Sequence, residues 1–519
     1  MIAAEACLRG LAARGVRICF ANPGTTELAF VEALDRVPEI RPVLGVHEGV
    51  CSGAADGYGR MTHEPALVLL HHGPGLSNAG ANLHNARKAR TPMVVVVGDN
   101  TDEHNEREPP LASNLVRLGQ ALCDTFWVAE SAVGLANVGP AAVEQANRVP
   151  ACVVGVGAPG PMQWMETEAP GPGRPSVTPR PVSATAILRI GEELARTPHA
   201  ALLLGGPVLT AEGLRAAGRI AAATGARLFC ETFPARVERG NELPYLERFP
   251  YFPEAALEAL AGVELLVCVG TPVPVAFFDY PETDGRLVPP GLRVHTLGED
   301  YQDVHSALQE MANRVPSGRG ASTWEAPRVA STPRPDPAGP LTPESLGAAV
   351  AAVQPQGLIV VDESATSGRP YWTLSGDCPP HTLLALTGGA IGQGIPCATG
   401  AALACPDRPV LSLQADGSAL YHLQALWTQA REHLNVTTLL CNNRSYRILQ
   451  VELRRAGVTA PGPAARALTS LADPAISWAD LARGFGVPSV RLERAEDLAR
   501  ELQRSFSTPG PYLIEAMIG

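Results

Sequence analysis

Short apolar runs alternate with longer segments of helical period along the whole chain. The runs are rich in Val, Leu and Ile, and most of them end in polar or glycine-rich residues. They include residues 66–70, 93–97, 201–204, 265–269, 358–361, 410–413 and 437–440. Runs that are apolar on both faces and separated by helices are typical of parallel sheets covered on both sides. The pattern therefore predicts an α/β fold.

Two stretches rich in proline and glycine, residues 169–181 and 316–343, interrupt this alternation. Proline fixes φ and removes a backbone donor, so neither stretch suits a core element and both are predicted to be linkers. They divide the chain into three predicted doubly wound parallel-sheet domains, residues 1–168, 182–316 and 341–519. Because parallel sheets bind ligands at the carboxyl ends of their strands, functional residues are expected just after the apolar runs.

Composition and charge exclude some classes of partner. The 519 residues carry a net charge of −11 and contain no run of Lys and Arg that could neutralise a phosphate backbone, so nucleic acid is not an expected partner. No stretch approaches the roughly 18 uninterrupted apolar residues of a membrane span, and the amino terminus reads as an amphipathic helix rather than a signal peptide. A cytoplasmic protein without a membrane partner is expected.

Two polar segments follow neighbouring predicted strands in the last block. Asp416 and Gly417 precede a predicted helix, residues 419–432, and Asn443 follows the next strand, so both segments should meet at one sheet edge. Mg²⁺ prefers hard oxygen ligands, and the Asp416 carboxylate, the Asn443 amide oxygen and the Ser445 carbonyl would supply them. Gly417 and the N–H groups after it could admit a phosphate. Taken alone, the same residues are also ordinary turn signals.

The spacing of these segments resembles the thiamine-diphosphate motif of the pyruvate decarboxylase, acetolactate synthase and benzoylformate decarboxylase group. That motif reads G-D-G and is followed, after a helix and a strand, by N-N. The resemblance covers nearly the whole chain, and residues 387–446 look most like benzoylformate decarboxylase. One departure is Ala415, which replaces the first glycine of G-D-G; its methyl group could crowd the phosphates but removes no ligand.

The resemblance implies thiamine diphosphate and Mg²⁺ as cofactors. It implies that the Gly389 carbonyl accepts a hydrogen bond from the 4′-amino group, and that Ile391 is the apolar wedge that bends the cofactor. A tight loop between strand and helix is the alternative interpretation of this glycine-rich run. The resemblance also implies further cofactor contacts, at Thr366, Ser367, Gly417, Ser418 and Tyr446.

Glu48 ends a strand segment in the first block. Small residues at 49 and 52–55 of the following helix predict that another backbone or a ligand approaches closely. In the resembling family, a glutamate here bonds N1′ of the aminopyrimidine and favours the imino tautomer that removes the C2 proton. Burial against a cofactor suits that role, because desolvation favours a shared proton. A solvated glutamate near a helix start is the alternative.

Four further residues are candidates for positions near the substrate. His71 aligns with an active-site histidine of benzoylformate decarboxylase, with His72 as a second candidate, since histidine moves protons near neutral pH. Structural histidines are the alternative. Thr25 matches a polar substrate contact of that enzyme. Phe277 stands where it has a second histidine, so one proton-relay group is missing, which suggests a more apolar pocket or a carboligase-like role.

The middle block lacks the glycine-rich dinucleotide fingerprint after its first strand, so its Leu204-Gly205-Gly206 turn is a weak nucleotide signal. The equivalent domain holds FAD in acetolactate synthases and is empty in the decarboxylases, and an empty domain is expected. The resemblance also implies a homodimer or homotetramer, in which the glutamate of one subunit meets the phosphate and metal site of another.

The sequence therefore predicts a thiamine-diphosphate-dependent 2-keto acid decarboxylase or carboligase. The alternatives are an acetolactate-synthase-like transferase that joins two 2-keto acids and a catalytically silent member that serves assembly, for which Ala415 and Phe277 are the only support. A nicotinamide dehydrogenase is a weaker alternative.

Overall fold

The computed structural model describes residues 1–171, 178–280, 284–315 and 337–518. Parts of both predicted linkers, residues 172–177 and 316–336, lie outside the described residues. The chain forms two compact units. The first contains Met1–Val177, Asp336–Pro370 and Ala385–Gly519, and the second contains Thr178–Pro335 and Tyr371–Leu384.

The amino-terminal block is a parallel sheet with helices on both faces. Its strands are β1 Ile18–Ala21, β2 Arg41–Leu44, β3 Ala66–His71, β4 Met93–Asp99, β5 Thr125–Val128 and β6 Val153–Pro159, and its helices are α1 Ala3–Ala12, α2 Leu28–Leu34, α3 Glu48–Thr62, α4 His72–Ala89, α5 Asp102–Asn105, α6 Leu115–Leu122, α7 Ala132–Ala146 and α8 Gly160–Trp164. The strand order is β2-β1-β3-β4-β6-β5. Alternate side chains of β3 enter two separate cores, Leu67 and Leu69 on one face and Val68 and Leu70 on the other. This explains why residues 66–70 of this strand are all apolar.

The second unit contains a smaller parallel sheet. Its elements in the middle block are β7 Arg180–Pro181, β8 Ala200–Leu204, β9 Arg227–Cys230, β10 Val237–Arg239, β11 Glu247–Arg248, β12 Leu265–Val269, β13 Arg293–Leu297, β14 Gln302–Asp303, α9 Ala184–Arg196, α10 Ala211–Thr224, α11 Pro253–Ala259 and α12 Val304–Arg314. The order in the sheet is β11-β9-β8-β12-β13. Strand β10 pairs antiparallel with residues 381–383, which the sequence did not predict.

The carboxyl-terminal block repeats the α/β pattern. Its elements are α13 Pro343–Val353, β15 Ile359–Glu363, α14 Arg369–Leu374, β16 His381–Ala385, α15 Gly394–Ala404, β17 Val410–Ala415, α16 Asp416–Ala419, α17 Ala425–Arg431, β18 Val436–Asn442, α18 Arg447–Arg455, α19 Pro463–Thr469, α20 Trp478–Gly484, β19 Ser489–Leu492, α21 Ala495–Phe506 and β20 Tyr512–Met517. Within the first unit its strands run parallel in the order β15-β17-β18-β20-β19. The predicted α/β class is confirmed, and none of the described helices is long and apolar enough to cross a membrane.

The predicted helix over residues 419–432 is wrong. Helix α16 ends at Ala419 and α17 begins at Ala425. Between them, His422 and Leu423 are buried while Leu420 and Tyr421 are exposed. The His422 ring packs against Gly49 and Gly392, so this contact prevails over the helical propensity of the segment.

Helices α3 and α15 pack with their backbones in contact. A Cβ on Gly57 would lie 2.0 Å from the Cys397 carbonyl oxygen, and one on Gly400 would lie 1.8 Å from the carbonyl oxygen of Ala54. The close approach that the small residues of α3 predicted is confirmed. Glycine is required here for space rather than for backbone conformation.

We expect Gly57→Ala to destabilise the protein by about 1–3 kcal/mol, because the added methyl group must separate two packed helices. Urea denaturation of the variant and the wild type measures this difference. Gly484→Ala is the matched control, because nothing lies within 4 Å of a Cβ at that helical position. Equal loss of stability in the two variants would contradict the tight crossing.

Candidate active site

Asp416 lies at the carboxyl end of β17, beside the end of β18, where Ala415 pairs with Cys441. Its side chain is buried, and Oδ1 accepts the Gly417 N–H at 2.8 Å. The other carboxylate oxygen, Oδ2, is buried without a hydrogen-bond partner among the described residues. Burial raises the pKa of Asp416, and N–H groups of Gly417 and of the segment after β18 oppose the rise. The structure thus brings Asp416 to the segment that contains Asn443.

The oxygens gathered here fit a hard divalent cation. The Asn443 side-chain oxygen accepts the Ser445 N–H at 2.9 Å and its hydroxyl at 3.1 Å, which fixes the turn that holds both predicted ligands. An unpartnered buried carboxylate oxygen is costly, and a metal ion would satisfy it. The orphaned Oδ2 is therefore the observation that favours Mg²⁺ at this site.

Ala415 has ordinary extended backbone angles, φ −78° and ψ 147°. The replacement of the first glycine of the motif therefore causes no backbone strain. The second glycine is constrained, because a Cβ on Gly417 would lie 2.4 Å from the ring of Tyr446. The Tyr446 ring thus covers the start of α16. The sequence predicts that Tyr446 contacts the cofactor in this region.

The loop before α15 contains the predicted cofactor supports Gly389 and Ile391. Gly389 has a φ of 73° and Gly392 a φ of 101°, values that favour glycine. Residues 364–367, with Thr366 and Ser367, follow β15 on the same sheet edge as Asp416, since Glu363 pairs with Gln414 in neighbouring strands. The structure therefore gathers the predicted cofactor residues of this block at the carboxyl ends of adjacent strands.

Glu363, the last residue of β15, supports the loop before α15, a role that the sequence did not predict. It is buried, and its carboxylate accepts the N–H groups of Gly392 at 2.6 Å and Gly394 at 2.5 Å, and the Gln414 amide at 3.1 Å. Burial raises the pKa of Glu363 to about 6, although these donors lower it. A glutamate at the end of a strand that begins with three apolar residues was the signal that could have identified it.

Glu48 begins α3, and its Oε2 accepts a hydrogen bond from the Asn78 amide at 3.0 Å. A Cβ on Gly75 would lie 3.5 Å from Oε1 of Glu48 and 3.8 Å from Cβ of His71. The structure thus brings the predicted glutamate and His71 close to the same glycine. Among the described residues, Glu48 has no hydrogen bond to the cluster around Asp416.

His71 forms a dyad with Glu27, which the sequence did not single out as a site residue. Nδ1 of His71 donates to Oε2 of the buried Glu27 at 2.9 Å, and it lies 3.0 Å from the Thr26 hydroxyl. This fixes the ring and leaves Nε2 for another partner. Thr25 itself is exposed beside the dyad. The buried Glu27 carboxylate, two residues after Thr25, could not be recognised as a site group without the contact to His71.

His72 is buried and has a positive φ of 51°, a conformation uncommon for a non-glycine residue. Its Nδ1 donates to Oδ1 of Asp99 at 3.2 Å, and its ring contacts that of His71 at a centroid distance of 4.6 Å. The two histidines therefore stand side by side, each held by its own carboxylate. His71 is the more accessible of the two.

Phe277 lies in the second unit, within an aromatic cluster. Its ring centroid is 5.7 Å from that of Phe233, 5.4 Å from Tyr251 and 4.9 Å from Phe278. Phe277 is 40% exposed, so this cluster presents an apolar surface where the sequence predicted a substrate contact. No histidine contacts the Phe277 ring among the residues that the structure describes.

The crevice between β8 and β12 is where a dinucleotide would bind in this kind of sheet. Here Oε1 of Glu231 accepts the Gly206 N–H at 2.8 Å, and Oε2 accepts the Thr271 hydroxyl at 3.2 Å. The backbone donor that a phosphate group would need is already bonded to a carboxylate. A Cβ on Gly270 would lie 2.4 Å from the Gly205 carbonyl oxygen, so the crevice is also narrow.

Comparisons with known proteins identify the relatives of this chain. Residues 1–114 match the N-terminal, and residues 368–516 the C-terminal, thiamine pyrophosphate binding domain of thiamine pyrophosphate enzymes. IlvX of Mycobacterium tuberculosis, provisionally named an acetolactate synthase large subunit, is 44% identical, and the match covers 100% of this chain and 99% of IlvX. Benzoylformate decarboxylase of Pseudomonas aeruginosa is 28% identical, with 96% of each chain covered.

The fold agrees with these matches. A thiamine diphosphate-dependent 4-hydroxybenzoylformate decarboxylase from Rhodococcus jostii RHA1 superposes with a TM-score of 0.86 at 26% identity, and covers 100% of this chain and 99% of that one. The resemblance read from the sequence is confirmed.

We expect the pH dependence of stability to reveal the buried Glu363 carboxyl. Because its folded pKa, about 6, exceeds the ordinary 4.5, the folded state binds more protons between these values. Its contribution is therefore fully present below pH 4.5 and is lost as pH rises through 6, a change of about 2 kcal/mol. The wild type should thus lose stability relative to Glu363→Gln over this range. Urea denaturation at several pH values measures the difference, and parallel curves would contradict the assignment.

Proposed function

Because the chain belongs to the thiamine-diphosphate-dependent enzyme family, which includes decarboxylases and acetolactate synthases, we propose that it decarboxylates a 2-keto acid. When bound, thiamine diphosphate supplies a nucleophilic carbon and takes up the electrons released when the carbon–carbon bond breaks. The remaining work, which is binding, orientation and proton movement, belongs to the residues of the chain.

The carboxyl-terminal cluster is proposed to hold the diphosphate end. The orphaned Asp416 Oδ2, the Asn443 amide oxygen and the Ser445 carbonyl would bind Mg²⁺. Gly417, Ser418, Thr366, Ser367 and Tyr446 surround the same strand ends. The Gly389 carbonyl and the Ile391 side chain would hold the aminopyrimidine part of the cofactor.

Glu48 is proposed to hold a proton at N1′ of the aminopyrimidine. The Asn78 amide donates to one of its oxygens and so fixes the carboxyl group at the start of α3. Its other oxygen faces Gly75, and the absence of a side chain there leaves room for a flat ring. This geometry supports the family role predicted for Glu48.

The His71–Glu27 dyad is the observation that favours decarboxylation. Release of an aldehyde requires a proton at the carbon that loses CO₂, whereas addition of that carbon to a second keto acid does not. Glu27 fixes His71 through Nδ1, so Nε2 can deliver the proton, and His72 stands beside it. His71 is therefore the proposed proton donor, with the Thr25 hydroxyl and the Phe277 ring as proposed substrate contacts.

An acetolactate-synthase-like transferase is the second candidate. The 44% identity to IlvX favours it, and Phe277 supplies no second histidine for product protonation. A silent assembly subunit is less well supported, because the orphaned Asp416 oxygen and the Asn78-held Glu48 would have no use in it.

We also propose that the active site forms between two copies of the chain, as a homodimer or a homotetramer. Within one chain, Glu48 is bonded to Asn78 and has no described hydrogen bond to the Asp416 cluster.

The Glu231 carboxylate, which accepts the Gly206 N–H, supports the proposal that the middle domain holds no FAD, because a phosphate group would meet a negative charge there.

The products that the enzyme forms from pyruvate and from an aromatic 2-keto acid distinguish the two candidate reactions. With thiamine diphosphate and Mg²⁺, we expect the free aldehyde and CO₂, and we expect His71→Ala to reduce aldehyde formation by about 100-fold. Product identification by chromatography checks this. Acetolactate as the main product, formed equally by wild type and His71→Ala, would instead establish the transferase.

Mixing of two inactive variants tests the shared site. Glu48→Gln and Asp416→Ala should each be inactive, the second through lost Mg²⁺ and cofactor uptake. After joint denaturation and refolding, each mixed dimer should contain one intact and one doubly altered site, so activity should reappear. Turnover that stays at the level of the separate variants would show that each chain builds its own site.

A further inference from the structure

The loop that contains Gly389 and Ile391 has little intrinsic rigidity. Gly388 and Gly389 precede Ala390, and Gly389 is in the left-handed region with a φ of 73°. Glycine loses much conformational freedom when it is ordered, so such a loop needs contacts from outside to hold one shape. The residues that provide those contacts determine where its carbonyl groups point.

Asn85 of α4 provides the central contact. Its side chain is fully buried, its Nδ2 donates to the Ala390 carbonyl at 2.7 Å, and its Oδ1 accepts the Ala390 N–H at 3.2 Å. One carboxamide thus pairs with both backbone groups of a single residue. A Cβ on Gly388 would lie 2.5 Å from Oδ1 of Asn85, so the loop passes directly over this amide.

The planarity of the peptide bond transmits this contact to both predicted cofactor supports. The Ala390 N–H shares one plane with the Gly389 carbonyl, and in a trans peptide the two point in opposite directions. The Gly389–Ala390 bond is trans, so holding the N–H toward Asn85 aims the Gly389 carbonyl away from α4. The Ala390 carbonyl shares its plane with the Ile391 N–H, so the Asn85 amide also fixes the orientation of the peptide plane that leads to Ile391.

Asn85 is itself held in orientation. Its Nδ2 donates to Oδ1 of Asn82 at 3.2 Å, and Nδ2 of Asn82 donates at 2.7 Å to the carbonyl of Gly49, the residue after Glu48. The Asn85 backbone carbonyl accepts the Thr387 hydroxyl at 2.8 Å. The amide therefore cannot turn without breaking bonds at both ends.

We propose that Asn85 is a positioning residue that sets the Gly389 carbonyl and Ile391 through the two peptide planes of Ala390. It contacts neither the cofactor nor the substrate, and its effect reaches them only through the backbone. The inference rests on the proposed function, because it assigns Asn85 a part in forming the reactive cofactor. It goes beyond that function by placing a requirement for catalysis in α4.

The test measures exchange of the C2 proton of bound thiamine diphosphate with deuterium, read by NMR after acid quench, together with cofactor affinity by calorimetry. In the full chain with Mg²⁺, Asn85→Ala should slow exchange by about 10- to 100-fold, as loss of an outer supporting contact does elsewhere. Cofactor affinity should fall less, since the metal cluster is intact.

Gln163→Ala is the control for stability. Gln163 is also fully buried, and its amide donates to the Ala158 carbonyl at 2.8 Å, away from the loop. This variant should lose similar thermal stability and keep wild-type exchange. Thr387→Val removes another anchor of the loop but leaves the Ala390 pairing, and it should slow exchange less than Asn85→Ala.

Asn85→Asp keeps an acceptor for the Ala390 N–H and loses the donor to its carbonyl, so it decides the matter if Asn85→Ala does not fold. It too should slow exchange. Wild-type exchange in either folded Asn85 variant would overturn the positioning role. Failure of the wild type itself to bind thiamine diphosphate or to exchange C2 would instead overturn the proposed function.

Discussion

Where α3 crosses α15, the two backbones approach so closely that no side chain fits between Gly57 and the Cys397 carbonyl. This crossing determines where the ends of both helices lie. Glu48 begins α3, and the loop with Gly389 and Ile391 leads into α15. Because the two backbones are in close contact, neither helix can shift without moving the other. The positions of both predicted cofactor-binding elements therefore depend on this crossing.

A buried ion pair extends this constraint into the loop. Arg60, on α3, forms a bidentate pair with Asp56 and also donates to the Ala385 carbonyl and the Thr387 hydroxyl. Asp56 in turn accepts the Gln393 amide. Buried charges are tolerated when every partner is satisfied, and here the partners lie on both sides of the loop that contains Gly389 and Ile391. Arg60 and Asp56 of the amino-terminal block therefore hold the loop that contains Gly389 and Ile391. Glu363 of the carboxyl-terminal block holds the same loop through the N–H groups of Gly392 and Gly394.

Sequence reasoning located the strands and the polar residues at their ends because apolar runs and turn chemistry are local signals. The meeting of Asp416 with the Asn443 segment followed from one helix and one strand between them. Sequence reasoning could not identify Glu27 or Asp99 as partners of the two histidines, since each hydrogen bond joins residues far apart in the sequence. The helix predicted over 419–432 failed for the same reason, because packing of His422 between two glycines overrides a local preference.

Ala415 shows what a signature motif encodes. Its backbone angles are accessible to every L-amino acid, so the first glycine of the motif is a matter of space near the ligand and not of chain conformation. A search pattern that demands glycine on both sides of the aspartate would discard this chain although the acidic oxygen and the second glycine are in place. Annotation rules for such enzymes are better written from the chemical task of each position than from the most frequent letter.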